Sequence, residues 1–534
     1  MRVAHTVDEV RSAEQALMAK LPDGALMQRA AAGLAATCAR LLDHVYGARV
    51  VVLTGGGDNG GDALYAGARL ADRGADVLAV TAGSRAHPGG MAELRACGGR
   101  VIVAAEPATP AAGPAGNGAP RGALTPDRNT AGPAGPHAGT AAITVAARSA
   151  IAAADLIIDG LTGIGGHGGL REPGAELARL AADARTGGAL VVAVDLPSGI
   201  DADTGEVPGP AIEADLTVTF GTVKPGLLID PGAEHAGPAE LIDIGLGPYL
   251  GEPAVLSLQS ADVALLLPRP SAESDKYRRG VLGLLAGSEQ YTGAAVLAAG
   301  GAIRAGAGMV RLVSAAPAVV VVRQHWPEAV LTTYDPARPA EAIKTAGRVQ
   351  AWAAGPGIGT DATARDLLAE VLASDVPVLV DADGLSVVAA ERELLARRAP
   401  TLITPHAGEL ARLLRADRAD IEAHRLHYVR AAAAELGVTV LLKGSTTLIA
   451  RPDAGLPVLV NATGSSWLAT AGSGDVLSGL TGGLLAQGVE PAYAAAAAAY
   501  LHGIAARLAS RDAPIGAGDL ITALPAAIRG VTTD

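Results

Sequence analysis

The residues whose types and spacing best suit chemistry lie near the end of the chain. Asn461-Ala462-Thr463-Gly464 is followed by Gly472-Ser473-Gly474-Asp475, and Leu477, Leu480 and Leu484 then recur at helical spacing. Two glycines around a serine let the backbone turn tightly and aim its N–H groups at one point. The helix that begins there adds its dipole, and both favour a phosphate. An aspartate at that helix start can take a proton from a hydroxyl while the anion hole steadies a phosphoryl group in transfer. On this stretch alone, a plain helix cap after a glycine turn fits Asp475 equally well.

Four more polar loops follow strand-like segments in the same half. Gly355-Pro356-Gly357-Ile358-Gly359 allows close backbone approach to a ligand. Asp381-Ala382-Asp383-Gly384 ends the run Val378 to Val380. Thr404-Pro405-His406-Ala407-Gly408-Glu409 ends a third strand, and Lys443-Gly444-Ser445-Thr446-Thr447 a fourth. Each alone is weak, since an isolated His406 or Asp381 is more often structural. Polar loops gathered at the carboxyl ends of parallel strands are where open α/β sheets bind ligands.

The N-terminal half carries a second constellation. Gly55 to Asp62, written GGGDNGGD, follows the apolar run Val50 to Leu53 and suits a pyrophosphate. Its spacing is not the G-x-G-x-x-G of dehydrogenases. Asp159-Gly160-Leu161-Thr162-Gly163 and Asp195-Leu196-Pro197-Ser198-Gly199 also end strand-like runs. Asn59, Asp159 and Ser198 are oxygen donors that could hold a hard cation, although Asp and Asn at turns usually bond only the backbone.

These loops need a scaffold, and the composition supplies one. The chain has 534 residues, enough for two large α/β domains. Hydrophobic residues make up 49% and aromatics only 2%, so the cores must be Ala-rich helices packed on Val- and Leu-rich strands. Short apolar strands alternating with helices predict parallel sheets covered on both faces. In the N-terminal half, a helical stretch is expected at Glu14 to Leu42 and a second helix from Ala63 to Arg73. Strands are expected at Arg49 to Leu53, Asp76 to Val80, Ala153 to Asp159 and Ala189 to Asp195. In the C-terminal half, strands are expected at Val281 to Ala286, Met309 to Val313, Gln350 to Ala354, Val376 to Val380, Thr401 to Ile403 and Thr439 to Leu442. Domains are placed at residues 1–250 and 260–530. Residues 105–140, rich in Ala, Pro, Gly and Thr, read as a disordered insertion that cannot bury enough surface to order itself.

Composition also excludes several classes. The most apolar-looking run, Ala494 to Leu501, is mostly alanine and meets His502 and Arg507, unlike a spanning helix of about 20 strongly apolar residues. Arg2, His5, Asp8 and Glu9 precede any apolar run, so no secretory signal is expected. Cys38 and Cys97 are the only cysteines, which suits a reduced, cytoplasmic setting. A net charge of −12 with scattered Lys and Arg argues against nucleic-acid and membrane partners.

Taken in order, Lys276 to Ala295 ending in YTGAA, GPGIG, VDADGLS, ITPHAGE, KGSTT and NATG with GSGDVLSG resemble the ribokinase-like dehydratase family that repairs hydrated nicotinamide dinucleotides. The resemblance covers about residues 260–530. It implies a three-layer α/β/α domain that uses ADP, with Mg2+, to phosphorylate the hydroxyl on the damaged ring; loss of phosphate then restores NADH or NADPH. Lys443, Gly444, Ser445, Thr446, Thr447 and Gly474 would hold the nucleotide. Ala294, Gly357, His406 and Asp475 would contact the hydrated dinucleotide, with Asp475 as base. The chain has Thr470-Ala471-Gly472 where the family more often has a Gly-Gly pair.

GGGDNGGDA and DLPSGIDADTG resemble the epimerase domain that accompanies this dehydratase in many bacteria, a Rossmann-like three-layer sandwich. That resemblance implies interconversion of the R and S hydrates with Asp195 as acid/base, and K+ on Asn59, Asp159 and Ser198. Substrate contacts would fall on Asp58, Asn59, Gly60, Gly61 and Asp62, on Gly163, Ile164, Gly165, Gly166, His167, Gly168 and Gly169, and on Asp195. Asp58 and Ala63 stand where the family usually has Asn and Gly. The expected whole is a bifunctional, homo-oligomeric enzyme. A small-molecule kinase with a non-catalytic N-terminal binding module is the alternative.

Overall fold

The computed structural model describes residues 1–83, 85–105, 143–271, 273 and 275–533. The expected disordered insertion therefore lies outside the described residues, apart from Ala105. Strand β1 (Arg2–Ala4) opens the chain, and seven strands then build a wholly parallel sheet: β2 (Arg49–Thr54), β3 (Asp76–Thr81), β4 (Arg100–Val103), β5 (Leu156–Gly160), β6 (Leu190–Val194), β7 (Leu216–Phe220) and β8 (Ala239–Ile242). Their order is β4-β3-β2-β5-β6-β7-β8. Val50 and Val52 enter the core layer on one face, Val51 and Leu53 that on the other. This two-residue alternation, buried on both sides, is why the strand reads as a continuous apolar run.

The second sheet has eleven strands. They are β9 (Val255–Ser257), β10 (Val281–Leu285), β11 (Met309–Ser314), β12 (Val330–Thr333), β13 (Ala351–Ala354), β14 (Val378–Val380), β15 (Thr401–Ile403), β16 (Thr439–Leu442), β17 (Thr447–Ala450) and β18 (Val458–Asn461), with β1 added at one edge. The order is β1-β9-β18-β17-β16-β15-β14-β13-β10-β11-β12. β10 to β16 run parallel, whereas the β16–β17 and β17–β18 pairs are antiparallel. β1 is antiparallel to β9, so the first residues of the chain complete the sheet of the C-terminal half. The halves also share apolar packing. Leu196, Ile200, Leu227 and Ile229 belong to the same buried cluster as Val281, Val380 and Val440.

In the parallel part of each sheet the strand order reverses once, between β2 and β5 and between β10 and β13. Helices leave in opposite directions there and open a crevice at the carboxyl ends of the strands. Helix packing keeps the layers close. In the helix Pro491–Ser510, Ala494 to Ala499 are all buried, so the alanine run is a tight helix contact. Among the described residues no helix is long and apolar enough to cross a membrane.

Two local expectations change. The stretch Glu14 to Leu42 is two helices, Val7–Met18 and Ala25–Leu41. Between them Pro22 lacks an N–H and Gly24 has φ 76°, which breaks the repeat. The first helix is set by a capping box of Thr6 and Glu9. The helix expected from Ala63 starts at Asp58 instead, with Gly57 as its N-cap, so the DNGGD motif is the first turn of a helix. Tertiary packing selects that conformation. A Cβ on Gly60 would lie 2.6 Å from the Gly55 carbonyl oxygen, and one on Gly61 would lie 2.9 Å from Met27.

Candidate functional sites in the two halves

A cavity of about 560 Å³ opens at the β2/β5 reversal. Asp58, Asn59, Gly60, Asp62 and Gly163 to Gly166 line it, as does Asp195 at the end of β6. Gly61 is buried behind this wall. His167, Gly168 and Gly169 point elsewhere, into a neighbouring cavity of about 290 Å³ beyond Gly166. The His167 side chain is 80% exposed and lies 3.9 Å from Asp201.

Asp195 has φ 64°, a strained backbone for a residue with a side chain. The strain aims its carboxylate at the cavity floor. There Oδ1 accepts hydrogen bonds from Thr219 Oγ1 and Phe220 N, each at 3.1 Å, and from Lys224 Nζ. Lys224 is 1% exposed, and its ammonium also bonds Thr219 Oγ1 and the Phe220 carbonyl at 3.1 Å. A buried lysine needs such a counter-charge. The sequence reading missed Lys224; its signal is a single charged residue inside the apolar stretch Leu216 to Ile229.

Two further acids face this pair. The Asp62 carboxyl is sunk in the wall with Oδ1 lacking a hydrogen-bond partner. Burial, then the negative charges of Asp195, Asp58 and Glu14, push it well above the usual carboxylate range. Glu14, from the first helix, also lines the cavity and is raised by burial and by Asp195. It too was missed, because its place depends on how that helix docks.

Asn59, Asp159 and Ser198 do come together, around Thr162. Ser198 donates to both Asp159 oxygens, from N at 2.8 Å and from Oγ at 2.7 Å. Thr162 N donates to Ser198 Oγ at 2.8 Å, and Asn59 Nδ2 donates to the Thr162 carbonyl at 2.8 Å. Asn59 Oδ1 is left as an acceptor. Asp159 is fully buried, and burial pushes it up to about 6 against the lowering hydrogen bonds of Ser198. An all-oxygen set with one carboxylate suits a monovalent cation better than a divalent one.

In the C-terminal half the loops after β13, β14, β15, β16 and β18 converge. A Cβ on Gly355 would fall 1.9 Å from the Asp381 carbonyl oxygen, so only glycine permits this approach. Gly357, at φ 63°, abuts Ala294: a Cβ there would lie 2.8 Å from the Ala294 Cβ. Both sit at the β10/β13 reversal. His406 caps the helix Ala407–Leu414, accepting from Gly408 N at 3.0 Å, while Glu409 accepts from His406 N at 2.8 Å. Its Nδ1 is an acceptor, and burial lowers its basicity more than Glu409 raises it.

Glu409 leads to the centre. Lys443 Nζ lies 3.5 Å from Glu409 and 2.8 Å from Asp381 Oδ1, and Ser478 Oγ donates to Asp381 Oδ2 at 2.5 Å. Burial pulls Lys443 down, but these two carboxylates outweigh it and hold the ammonium raised. Asp381, 1% exposed, is thus the hinge of the site. Above it, Gly474 is flanked by both groups: its Cβ position is 3.8 Å from Lys443 Nζ and 3.9 Å from Asp381 Oδ2. Asp475 sits in the first turn of the helix Ser473–Ala486 and takes no cap role. Burial, then the Asp381 charge, pushes its carboxyl up to about 7 despite the lowering pull of Lys443. His502 is buried, and desolvation drives it down to about 4.

The NAD(P)H-hydrate dehydratase family model matches residues 282–528, and that for the YjeF-related protein N-terminus matches residues 23–226. The bifunctional NAD(P)H-hydrate repair enzyme Nnr of Mycobacterium leprae (strain TN) is 44% identical over 539 aligned residues, covering 100% of this chain and 99% of that protein. The chain belongs to the bifunctional NAD(P)H-hydrate repair enzyme family.

Another member of the bifunctional NAD(P)H-hydrate repair enzyme family, from Mycobacterium tuberculosis (strain CDC 1551 / Oshkosh), is 44% identical over 93% of this chain and 92% of its own length. Among solved structures, the ADP/ATP-dependent NAD(P)H-hydrate dehydratase of Bacillus subtilis, co-crystallised with ATP and Mg2+, is 31% identical. It aligns with 51% of this chain and 97% of its own, at a TM-score of 0.46. In this repair-enzyme chain the two matched regions hold the two clusters described above: Asp195 with Lys224, and Asp475 with Asp381 and Lys443.

Proposed function

We propose that the N-terminal half interconverts the R and S hydrates of NADH and NADPH, and that the C-terminal half dehydrates the S hydrate using ADP, leaving AMP and phosphate. The observation that carries this reading is the pairing of two separate acid sites in one chain whose full length aligns with a bifunctional repair enzyme.

Inverting the hydroxyl-bearing carbon requires a bond at that carbon to break and re-form on the opposite face, with one group taking up and another returning the proton that this exchange moves. Asp195 is the base, kept in place by Lys224. Asp62, whose carboxyl burial and neighbouring charge push well above the usual carboxylate range, is the complementary acid. Gly57 to Gly60 offer the first N–H groups of a helix to the dinucleotide phosphates, with Gly163 to Gly166 opposite. K+ would be held by Asn59, Asp159 and Ser198, where it would offset the buried Asp159 charge.

In the C-terminal half, Asp475 takes the proton from the ring hydroxyl as that oxygen attacks the terminal phosphate of ADP. Gly474 and its neighbours present N–H groups to the phosphoryl group, and Lys443 supplies a fixed positive charge beside them. Mg2+ would travel with the ADP phosphates and offset their charge. Phosphorylation converts a poor leaving group into a good one; the phosphate leaves, the adjacent ring carbon gives up a proton, and the ring double bond is restored. Ala294, Gly357 and His406 would line the hydrate side, and the Lys443 to Thr447 loop the nucleotide side.

The test supplies purified protein with R and S hydrates separately, with ADP and Mg2+, and follows the return of reduced-nicotinamide absorbance. Both should be repaired, and a stable phosphorylated product in place of AMP and phosphate would overturn the reading. Sedimentation of the full chain reads the oligomeric state, for which a homo-oligomer is expected.

A further inference from the structure

The Lys443–Thr447 loop is gripped from outside its own half. Asp230, buried six residues beyond Lys224, accepts from Thr446 N at 2.7 Å and from Ser445 Oγ through the same oxygen, Oδ2. Its own N–H donates to Thr446 Oγ1 at 3.1 Å. From the other side the buried Arg425 guanidinium donates to the carbonyls of Thr446 at 2.9 Å, Lys443 at 3.3 Å and Leu442 at 3.5 Å. Every polar group of Thr446, and the Ser445 hydroxyl, is therefore committed to holding the loop. A ligand must meet it through Gly444, Thr447 and the Lys443 ammonium. Leu227, Leu228 and Ile229 lie in the core shared by both halves, so the carboxylate is delivered from a fixed anchor.

We propose that Asp230 is a positioning residue of the nucleotide site. The N-terminal half supplies the carboxylate that fixes the loop, and the affinity of the C-terminal half for an adenine nucleoside diphosphate depends on it. The proposal rests on the reading that this loop holds the nucleotide. A phosphate-facing loop binds tightly when its donors are oriented before the ligand arrives. Without Asp230 the buried Thr446 N–H is an orphan donor, and Arg425 faces the loop without its counter-charge. The loop must then rearrange, and Gly444 moves with it.

The test uses full-length Asp230→Ala and Asp230→Asn. ADP affinity is read by titration calorimetry, alongside KM for ADP and for the S hydrate and the rate of R-to-S conversion. Asp230→Ala should bind ADP about tenfold more weakly, as expected for a lost charge-assisted hydrogen bond. The KM for the S hydrate and the epimerisation rate should stay within about twofold, and Asp230→Asn, which keeps an acceptor oxygen, should recover part of the loss. Unchanged ADP affinity overturns the proposal, as does a parallel loss of ADP affinity, hydrate affinity and epimerisation. If Asp230→Ala fails to fold, Asp230→Asn decides alone: weaker ADP binding supports the proposal and wild-type binding overturns it. Lys443→Ala separates the two readings. If it binds ADP as the wild type does, the loop is not the nucleotide site; if it loses ADP while Asp230→Ala does not, only the proposal falls.

Discussion

The two sites treat their central carboxylate in opposite ways. Asp195 is tied down: one of its oxygens accepts three hydrogen bonds, including one from a lysine with almost no exposure. Asp475 is left loose, with no hydrogen bond among the described residues, and burial with the Asp381 charge raises it to about 7. The first arrangement fixes a position at the cost of freedom, as suits a reaction that must work on either face of a carbon. The second keeps a carboxylate basic, as suits the abstraction of a proton from a hydroxyl. A carboxyl that burial cuts off from water, with a like charge beside it, is raised, and Asp475 is such a group.

The contrast can be broken most directly at Asp475. Asp475→Asn should lower dehydration of both hydrates by about 10²–10⁴-fold, while R and S forms still interconvert when followed chromatographically. Lys224→Met is next. It should slow epimerisation by about 10²-fold or more and leave the S hydrate repaired at the wild-type rate; equal rates on the R hydrate would remove Lys224 from the site. Its melting temperature should also fall, because Asp195 loses its buried partner.

The pH profiles sharpen the comparison. A base with its pKa raised to about 7 works only when ionised, so dehydration should be present above pH 7 and be lost as pH falls, about tenfold per unit at the limit. Asp475→Asn should abolish that limb. The smallest effect is on stability. Asp475 is raised in the folded state, so the folded chain holds its proton while the unfolded chain has lost it. Stability is therefore lost as pH rises from the ordinary carboxylate range to about 7. Asp475→Asn should melt higher than the wild type at pH 8, by roughly 2–4 °C per kcal/mol relieved, and the gain should shrink towards pH 5. A gain independent of pH would mean that Asp475 is not the ionising group.

Much of this was legible beforehand because strands and strand ends are local. The strands Thr401–Ile403 and Thr439–Leu442 fall where their apolar runs are, and five polar loops of the C-terminal half do converge. The strands β17 and β18 were not foreseen; they are short and antiparallel, and the periodicity of a parallel α/β unit does not announce them. DNGGD looked like a turn because glycines weaken helices, yet close packing against Gly55 and Met27 makes it one. Lys224 and Glu14 escaped notice as site residues, and Asp381 was singled out only as part of a strand-end loop, for a common reason. Their importance lies in which carboxylate or cation stands opposite, and sequence spacing does not encode that. Tertiary placement also divides the Gly163 to Gly169 loop between two cavities.

The edge strand β1 has a consequence for how the chain is made. Residues 2–4 must find residues 255–257, and β9 must then meet β18 at 458–459. Closing such long loops adds little to the equilibrium cost, since that cost grows only with the logarithm of length. It does dictate timing, because distant pairings form late. On the ribosome the seven-stranded sheet has all its strands by Ile242, whereas β9, the partner of β1, follows only at Ser257 and the sheet they join is complete only with Asn461. The β1–β9 pair is thus docked late, and a nascent chain arrested before Asn461 would carry it, with Ala4 bridged to Val223, beside a sheet it cannot yet join.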